Sequence, residues 1–390
     1  MVTSPITLRV MHGQLRYLKQ SGFDVVAISS PGEQLERFGG EEGVETRAVR
    51  VEREISPWRD FASLLRLLWT LRRCAPDITN VSTPKASLLG SIAAALLRVP
   101  CRIYTLRGLK CETSTGLKQK LLLLSERVTC ALSHRVICAG PSLRQRAIEL
   151  GVVSPEKAII LARGSTNGVN RVEFEPTPER REAAQKMRGE LGISAPGLVI
   201  GFVARFTRDK GIPELYAAFV ELKKRFPDLW LLLVGDFETG DPVDAMLRKT
   251  MEEDSHVVRT GFVKDPAPYF HLMDVLALPT HREGFPNVAL EAQAAAVPVV
   301  TTRATGAIDS VLDGETGFSV PVGQVGPLTE ALRRLLENHE LRKTMGSAGQ
   351  EWVSANFSSD IVWTALSREY RSLLLSRTGL AVPERSWRES

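Results

Sequence analysis

Short apolar runs alternate with longer, helix-like segments along the whole chain. In the first half, the runs FDVVAISS, CRIYTL, RVICAG and AIILAR are rich in Val, Ile and Leu and predict buried strands. In the second half, the runs LVIGFVAR, LWLLLVGD, HVVRTGF, VLALPT and VPVVTT predict the same. Continuous apolar runs separated by helices are typical of parallel sheets that helices cover on both faces. The pattern therefore predicts an α/β fold.

One stretch interrupts this alternation. Residues 165–185, STNGVNRVEFEPTPERREAAQ, are polar, rich in turn formers and free of strand patterns, as expected of a domain junction. We therefore expect two doubly wound, Rossmann-like domains, 1–170 and 171–358, which face each other across a cleft at the carboxyl ends of their strands. Residues 359–390 are expected to form a helix that crosses back to the first domain, followed by a loose tail.

The beginning of the first domain departs from this pattern. A doubly wound domain opens with a strand, a loop and a helix, but MVTSPITLRVMHGQLRYLKQSG leaves only its first three residues for a strand. A missing central strand would leave backbone groups of its neighbours unpaired. The pattern therefore favours a true start upstream of Met1.

The composition is that of a globular protein, with 390 residues of which 43% are hydrophobic and 24% charged. No apolar run reaches the roughly 18 to 20 residues of a membrane span, and the first residues lack the pattern of a secretory signal. The five cysteines include no CxxC pair, which argues against a zinc site or a disulfide framework. These features predict a reduced, cytoplasmic protein.

The net charge of +5 conceals an asymmetry. Residues 1–164 carry 24 Lys+Arg against 14 Asp+Glu, or +10, and the remainder carries 26 against 31, or −5. A basic first half favours an anionic partner. Leu117, Leu121 and Leu124 stand at helical spacing among lysines, which predicts a basic amphipathic helix on an anionic membrane or, alternatively, a core-facing helix with solvated lysines. Nucleic acid is not expected, because aromatic residues are not interleaved with the cations.

Two loops of the second half carry the candidate chemistry. The segment GFVARFTRDKGI places Arg205 and Lys210 between the end of a strand and the start of a helix, which suits a diphosphate. The segment THREGFPNVALEAQ places Glu283 in a loop, Asn287 as the predicted N-cap, and Glu291 one turn inside the helix. A carboxylate accepts two hydrogen bonds from a ribose diol, although a glutamate near a helix start is also favoured by the helix dipole alone.

Taken with VLDGETGFSVPVG, these segments resemble the nucleotide-sugar-binding half of the family 4 glycosyltransferases, which have the GT-B fold, over residues 201–336. Glu283 and Glu291 stand where that family has its E-x₇-E motif, and Arg205 and Lys210 stand at its basic pair. The first half is similar to capsular and lipid-linked-oligosaccharide members in PITLRVMHGQLRYLKQSGFDV and YTLRGL.

The resemblance implies a retaining hexosyltransferase that uses a nucleotide-diphosphate sugar, with UDP as the expected nucleotide and no metal or other cofactor. It implies that Arg205, Lys210 and Glu283 are catalytic, with Glu283 on the sugar hydroxyls and Glu291 on the ribose. The main chain at Val263 would contact the base. The implied donor-binding residues are Gly284, Phe285, Pro286, Asn287, Glu291 and Val263.

The acceptor implied by the resemblance is a saccharide or a polyprenyl-diphosphate-linked saccharide of surface polysaccharide synthesis, at the inner face of the plasma membrane. Many relatives have a histidine where this chain has Arg107, and an arginine excludes a general base there. Arg107 and Gly108 are therefore predicted to hold a phosphate of the acceptor or donor. Two alternatives stay open: a GT-B sugar-nucleotide epimerase, and a nucleotide-sugar-binding protein with impaired catalysis.

Overall fold

The structure is a computed structural model that describes residues 1–52, 56–238 and 241–381. The chain divides into two compact units, Val169–Ser358 and a unit that combines Met1–Gly168 with the C-terminal segment from Ser359. In each unit, parallel strands alternate with helices. The predicted α/β fold with two Rossmann-like domains is confirmed.

The first unit contains a two-stranded and a four-stranded parallel sheet, in the orders β1-β2 and β3-β4-β5-β6. Its strands are β1 (Val26–Ser29), β2 (Glu45–Ala48), β3 (Ile78–Ser82), β4 (Cys101–Leu106), β5 (Arg135–Cys138) and β6 (Ala158–Ile160). Its helices are α1 (Gln14–Gln20), α2 (Glu33–Glu42), α3 (Pro57–Cys74), α4 (Pro84–Leu96), α5 (Gly116–Leu132), α6 (Pro141–Glu149) and the C-terminal α15 (Ser359–Thr378). Short 3₁₀ helices cover Pro5–Met11 and Lys110–Thr113.

The first residues of the chain lie between the two sheets of this unit. The Val2 amide donates to the carbonyl of Ile28 in β1 at 3.0 Å, and the Ser82 amide of β3 donates to the carbonyl of Met1 at 2.9 Å. Met1 and Val2, which belong to the three residues available for a first strand, therefore join β1 to β3. A cavity of about 160 Å³ lies beside them and is lined in part by these two strands.

Helix α15 completes the core of the first unit. Leu366, Tyr370 and Leu373 are buried in one cluster with Leu18 of α1 and Ile103 of β4. The last helix thus belongs to the first unit, although it follows the second in sequence. Residues 382–390 of the predicted tail lie outside the described residues.

The second unit is built on one parallel sheet of six strands, in the order β12-β11-β10-β7-β8-β9. These strands are β7 (Val199–Val203), β8 (Trp230–Val234), β9 (Val257–Arg259), β10 (Val275–Leu278), β11 (Val299–Thr302) and β12 (Gly317–Val320). The helices are α7 (Arg171–Phe174), α8 (Pro178–Glu190), α9 (Ile212–Lys223), α10 (Ala245–Glu253), α11 (Ala267–Phe270), α12 (Asn287–Ala294), α13 (Val325–Glu337) and α14 (His339–Asn356). Short 3₁₀ helices cover Arg208–Lys210 and Ile308–Ser310.

Helices bury both faces of the six-stranded sheet. Ile200 and Phe202 of β7 belong to one core cluster, and Val199 belongs to the cluster on the opposite face. Successive residues of a strand point to opposite faces, so burial of both faces requires an unbroken apolar run. This requirement explains why β7, β8, β10 and β11 were predicted from their apolar runs.

Three strands were not predicted, because their sequences are not continuously apolar. The strand β2, with the sequence ETRA, is an edge strand with three of its four residues exposed. The strand β3, ITNVS, contains Asn80, whose amide donates to the Tyr370 hydroxyl at 2.7 Å. The strand β12, GFSV, forms the other edge of the larger sheet. Within the described ranges, no helix combines the length and apolar character needed to cross a bilayer.

Candidate active site

The strand order of the second unit reverses at one point of the sheet. The first strand, β7, has β8 and β9 on one side and β10, β11 and β12 on the other. The loops that follow β7 and β10 therefore leave the sheet side by side and diverge to opposite faces. In doubly wound sheets, ligands bind in the crevice at such a point, outside the carboxyl ends of the strands.

Main-chain hydrogen bonds join the loops after five successive strands of this sheet. The bonds are Gly235 N–H to Gly261 O (3.1 Å), Phe206 N–H to Asp236 O (2.8 Å), His281 N–H to Asp209 O (2.8 Å) and Glu283 N–H to Thr305 O (2.9 Å). They connect the loops in the spatial order of β9, β8, β7, β10 and β11. The rim of the crevice is therefore a continuous hydrogen-bonded surface rather than a set of independent loops.

Two glycines allow these loops to approach closely. Gly211 has φ +72° and follows Lys210, and a Cβ at this position would lie 1.9 Å from the carbonyl oxygen of Pro279. Gly306 has φ +77°, and its Cβ would lie 2.6 Å from the carbonyl oxygen of Glu283. Both positions require glycine for two reasons: the backbone is left-handed, and a Cβ would clash with the neighbouring carbonyl oxygen.

The predicted residues Lys210 and Glu283 are in direct contact. The Nζ atom of Lys210 donates to Oε1 of Glu283 at 2.5 Å, and their side chains are only 11% and 18% exposed. The contact links the loop after β7 to the loop after β10. An ammonium group has three donors, so Lys210 keeps hydrogen-bonding capacity for a second anion.

The other predicted cation, Arg205, pairs with a different carboxylate. Its Nη1 atom lies 2.5 Å from Oε2 of Glu238 in the loop after β8, and the two side chains are 58% and 41% exposed. Exposed ion pairs contribute about 0 to 1 kcal/mol. An incoming anion can therefore draw Arg205 away from Glu238 at little cost, whereas the Lys210–Glu283 pair is shielded from water.

Asp209 was not singled out from the sequence, although it lies between the two predicted cations. Its carboxylate accepts from the Thr207 hydroxyl at 2.6 Å and pairs with Arg282 at 3.0 Å. Burial acts to raise the pKa of Asp209, but the Thr207 hydrogen bond and the charges of Lys210 and Arg282 outweigh it and hold this pKa below its usual value. An acid between two cations in a strand-end loop is the sequence signal that could have identified it.

His281 contacts a helix of the same unit. Its Nε2 atom lies 2.9 Å from Oε1 of Glu214, in the first turn of α9. The hydrogen bond to Glu214 raises the pKa of His281. The pKa of Glu214 is lowered, because the His281 hydrogen bond outweighs the burial that acts to raise it. His281 thus fixes the loop after β10 to the helix that follows β7.

Glu291 lies on α12, which begins one residue earlier than predicted. Asn287 is the first helical residue and Pro286 occupies the N-cap position, so the predicted Asn287 N-cap is wrong. The physical reason is that the Pro286 ring restricts φ, here −81°, and its ψ of 98° gives the extended backbone of a cap. Burial raises the pKa of the Glu291 carboxyl to about 7, and Glu173 and Asp265 act in the same direction.

The remaining predicted donor-binding residues lie around α12. Val263 follows β9 and packs, with Phe285, against the core cluster that contains Leu290 of α12. The Phe285 ring lies 5.4 Å from the Phe357 ring, centroid to centroid. The carbonyl oxygen of Gly284 faces Gly306. Val263 and Phe285 therefore pack against the core beside α12, and Gly284 lies against the loop after β11.

Arg107 and Gly108 belong to the first unit, directly after β4. The Nε atom of Arg107 donates to the Ser82 hydroxyl at 2.9 Å, and its Nη1 atom donates to the Thr166 hydroxyl. Within the part of the chain that the structure describes, Arg107 forms no ion pair. Burial lowers the pKa of Arg107 to about 10, so it stays charged at neutral pH. It also lines the cavity beside β1 and β3.

Among residues 1–52, 56–238 and 241–381, no group of three or more His, Cys, Asp or Glu side chains is placed to hold a metal ion.

Two doubly wound units, one with cations and carboxylates at its topological switch point, are the architecture expected of GT-B glycosyltransferases. The family model described as "Glycosyl transferases group 1" matches residues 184–352, and the model described as "Glycosyl transferase 4-like domain" matches residues 8–164. The chain is 35% identical to the capsular polysaccharide biosynthesis glycosyltransferase CapM of Staphylococcus aureus, over 97% of this chain and 98% of CapM. The chain belongs to the family 4 glycosyltransferases, and it is a glycosyltransferase.

Two further similarities concern a distant relative and a solved structure. The chain is 26% identical, over 74% of each protein, to an Escherichia coli α-1,3-galactosyltransferase named for UDP-Gal and α-D-GlcNAc-diphosphoundecaprenol. It shares its fold with HepE of Anabaena, crystallised with UDP and glucose, at a TM-score of 0.76 and 20% identity, over 92% of this chain and 95% of HepE.

A Gly211→Ala variant tests the close contact between the loops after β7 and β10. We expect it to unfold at lower denaturant concentration, with a loss of at least about 1 kcal/mol, because alanine is strained at positive φ and its Cβ meets the Pro279 carbonyl. Chemical denaturation followed by circular dichroism measures the change.

The matched control is Gly189→Ala, in the last turn of α8. A Cβ there meets no atom within 4 Å, so alanine should be neutral or slightly stabilising. Equal stability of the Gly211 variant and the wild type would show that the loops are not held by this contact.

Proposed function

We propose that the chain transfers a hexosyl group, with retention of anomeric configuration, from a UDP-sugar to a saccharide or polyprenyl-diphosphate-linked saccharide. We further propose that it does so without a metal ion, in the cytoplasm, during synthesis of a surface polysaccharide. The observation that carries the proposal is the shielded Lys210–Glu283 pair at the crevice between β7 and β10. The names of the Staphylococcus aureus and Escherichia coli relatives support the substrate classes.

The proposal assigns Arg205 and Lys210 to the leaving group. A nucleoside diphosphate gains negative charge as the glycosidic bond breaks, and preorganised cations stabilise that charge most effectively. Glu283 holds Lys210 in place before the donor binds. Lys210 would therefore need no rearrangement when the donor arrives. Arg205 would exchange Glu238 for the diphosphate. These two cations would take the place that a divalent metal has in other sugar transferases.

Glu283 and Glu291 would bind the two ends of the donor. Glu283 stands at the loop after β10, where its second carboxylate oxygen and the following main chain can hold sugar hydroxyls. The Glu291 carboxylate would accept hydrogen bonds from the two ribose hydroxyls. The main chain near Val263, after β9, would meet the base. The proposed sites for the sugar, the ribose and the base would thus follow the spatial order of the loops from β10 to β9.

The transfer step needs one bond made and one bond broken on the same face of the sugar. The acceptor hydroxyl oxygen bonds to the anomeric carbon while the bond from that carbon to the diphosphate oxygen breaks. The hydroxyl proton passes to the departing diphosphate oxygen, so no protein nucleophile is required. Arg107 cannot act as the base, and we assign it to phosphate binding, with Gly108 beside it.

The acceptor side of the proposal is a lipid-linked saccharide, which would place the protein peripherally on the inner face of the plasma membrane. The basic first half of the chain, at +10 over residues 1–164, is consistent with an anionic acceptor and an anionic surface.

A turnover assay distinguishes the proposed reaction from its alternatives. The protein is incubated with UDP-sugars and a short-chain polyprenyl-diphosphate saccharide, and products are analysed by mass spectrometry and by the proton coupling at the new anomeric centre. We expect a product that keeps the donor's α configuration, with no loss of activity in EDTA. An epimerised donor would identify an epimerase, and donor binding without any turnover would identify a binding protein.

Nucleotide titrations test the donor site directly. We expect UDP to bind more tightly than GDP or ADP in calorimetry, and Lys210→Ala and Glu291→Ala to weaken UDP binding about 10-fold to 100-fold, because each removes a charge-assisted hydrogen bond. Lys224→Ala, at the C-cap of α9, and Glu182→Ala, on α8, are the matched controls, because both residues are exposed. Equal UDP affinity in all four variants would refute the assignment.

The raised pKa of Glu291 predicts how donor binding depends on pH. Its pKa of about 7 lies well above the usual value, and the ionised form accepts the two ribose hydrogen bonds much more strongly than the protonated form. The affinity should therefore fall about tenfold from about pH 8 to about pH 6 as Glu291 gains a proton. UDP-glucose is the suitable probe, because its diphosphate diester does not titrate in this range.

The control is Glu291→Gln, which cannot ionise. Its affinity should be low and independent of pH over the same range. A wild-type affinity that stays constant with pH would show that Glu291 does not contact the nucleotide.

A further inference from the structure

Helix α3 of the first unit has two apolar faces. Its core face carries Leu67 and Leu71, each 2% exposed. The opposite face carries four large apolar side chains that are open to solvent: Trp58 (86%), Phe61 (58%), Leu65 (51%) and Trp69 (58%). These four residues, called the α3 stripe below, recur at spacings of three, four and four residues. They therefore form one line along a helix about 27 Å long.

A helix on the surface of a globular protein needs only one apolar face. Aromatic side chains in water on the second face are unfavourable unless another phase or partner covers them. Leucine residues 117, 121 and 124 of α5 are also exposed, at 73%, 48% and 57%. This exposure argues against the alternative that α5 presents its leucines to the core. Both helices pack against α4, so they lie in one helical layer on the first unit.

Arginines flank the α3 stripe. Arg59, Arg66 and Arg73 follow each other at two-turn spacing on one side of it, and all three are exposed. The guanidinium carbon of Arg73 lies 3.9 Å from the centre of the Trp69 ring. Tryptophan next to a cation suits the boundary between lipid headgroups and acyl chains, where the ring is half in water.

We propose that the α3 stripe docks the protein on an anionic bilayer, with Trp58, Phe61, Leu65 and Trp69 in the interfacial region and the arginines on the headgroups. The inference rests on the membrane association proposed above and names the surface responsible for it. A second copy of the chain is a less suitable occupant. An antiparallel two-fold contact through α3 would bring the arginine flanks of both copies together, and like charges at an interface oppose association.

Vesicle sedimentation of the full chain tests the proposal. We expect binding to vesicles that contain phosphatidylglycerol and little binding to pure phosphatidylcholine. Replacing Trp58, Phe61 and Trp69 by serine should weaken binding at least tenfold, as an amphipathic helix loses its buried apolar area. Replacing Arg66 by Gln should weaken it about fivefold at low salt.

The matched control replaces two apolar residues that are equally exposed elsewhere, Met246 (72%) on α10 and Leu375 (55%) on α15. Met246→Ser/Leu375→Ser should bind vesicles like the wild type. Circular dichroism confirms folding of every variant. Unchanged vesicle binding by the triple α3 variant would overturn the proposal, and so would a wild-type protein that dimerises through this face instead of binding lipid.

UDP titration of the same samples separates this inference from the proposed function. A triple α3 variant that loses vesicle binding but keeps the wild-type UDP affinity supports the surface. A wild type that binds UDP but no anionic vesicles overturns the surface and leaves the donor site intact. A wild type that binds vesicles through α3 but no nucleotide supports the surface and refutes the donor assignment.

Discussion

The ion pair between Lys210 and Glu283 is the interaction on which the candidate site depends. It can form only because β7 and β10 are neighbours in the sheet, although about seventy residues separate them in sequence. Gly211 permits the approach, because any side chain there would meet the carbonyl of Pro279. The pair is shielded from water on both sides, so breaking it by removing one partner would strand a charge in a poorly solvated position. Its geometry is therefore set before any ligand arrives.

The charged side chains around this ion pair differ in how firmly their present partners hold them. Asp209, whose side chain is only 10% exposed, binds Thr207 and Arg282 and keeps two loops in register. Arg205 and its partner Glu238 lie in water, where an ion pair has little stability of its own. A dianionic ligand that enters the crevice would thus meet a fixed ammonium group and a movable guanidinium group. In the function proposed above, this combination would let the donor bind and the nucleotide leave.

The two units differ in the charge and in the exposed apolar side chains of their surfaces. The second unit concentrates its charged chemistry at the carboxyl ends of one sheet, and its helices bury both faces of that sheet. The first unit has an excess of cations and exposes aromatic and leucine side chains on α3 and α5. Under the proposed function, a soluble donor would require only a polar crevice, whereas a lipid-linked acceptor would be met at the surface of a bilayer. The distribution of charge and exposed apolar area is consistent with that proposed division.

The sequence by itself determined the fold class, because strands buried on both faces must be continuous apolar runs, as in β7 and β8. It also identified Lys210, Glu283 and Glu291 as residues of strand-end loops and of the helix that follows, and here the family resemblance added what spacing alone could not. Only the tertiary structure decided which of these residues meet: Lys210 reaches Glu283, Arg205 turns to Glu238, and Asp209 joins two loops. The α3 stripe could not be predicted from the sequence for a related reason. Leu67 and Trp58 look alike as apolar residues of one helix, and only packing decides which of them faces the core and which faces water.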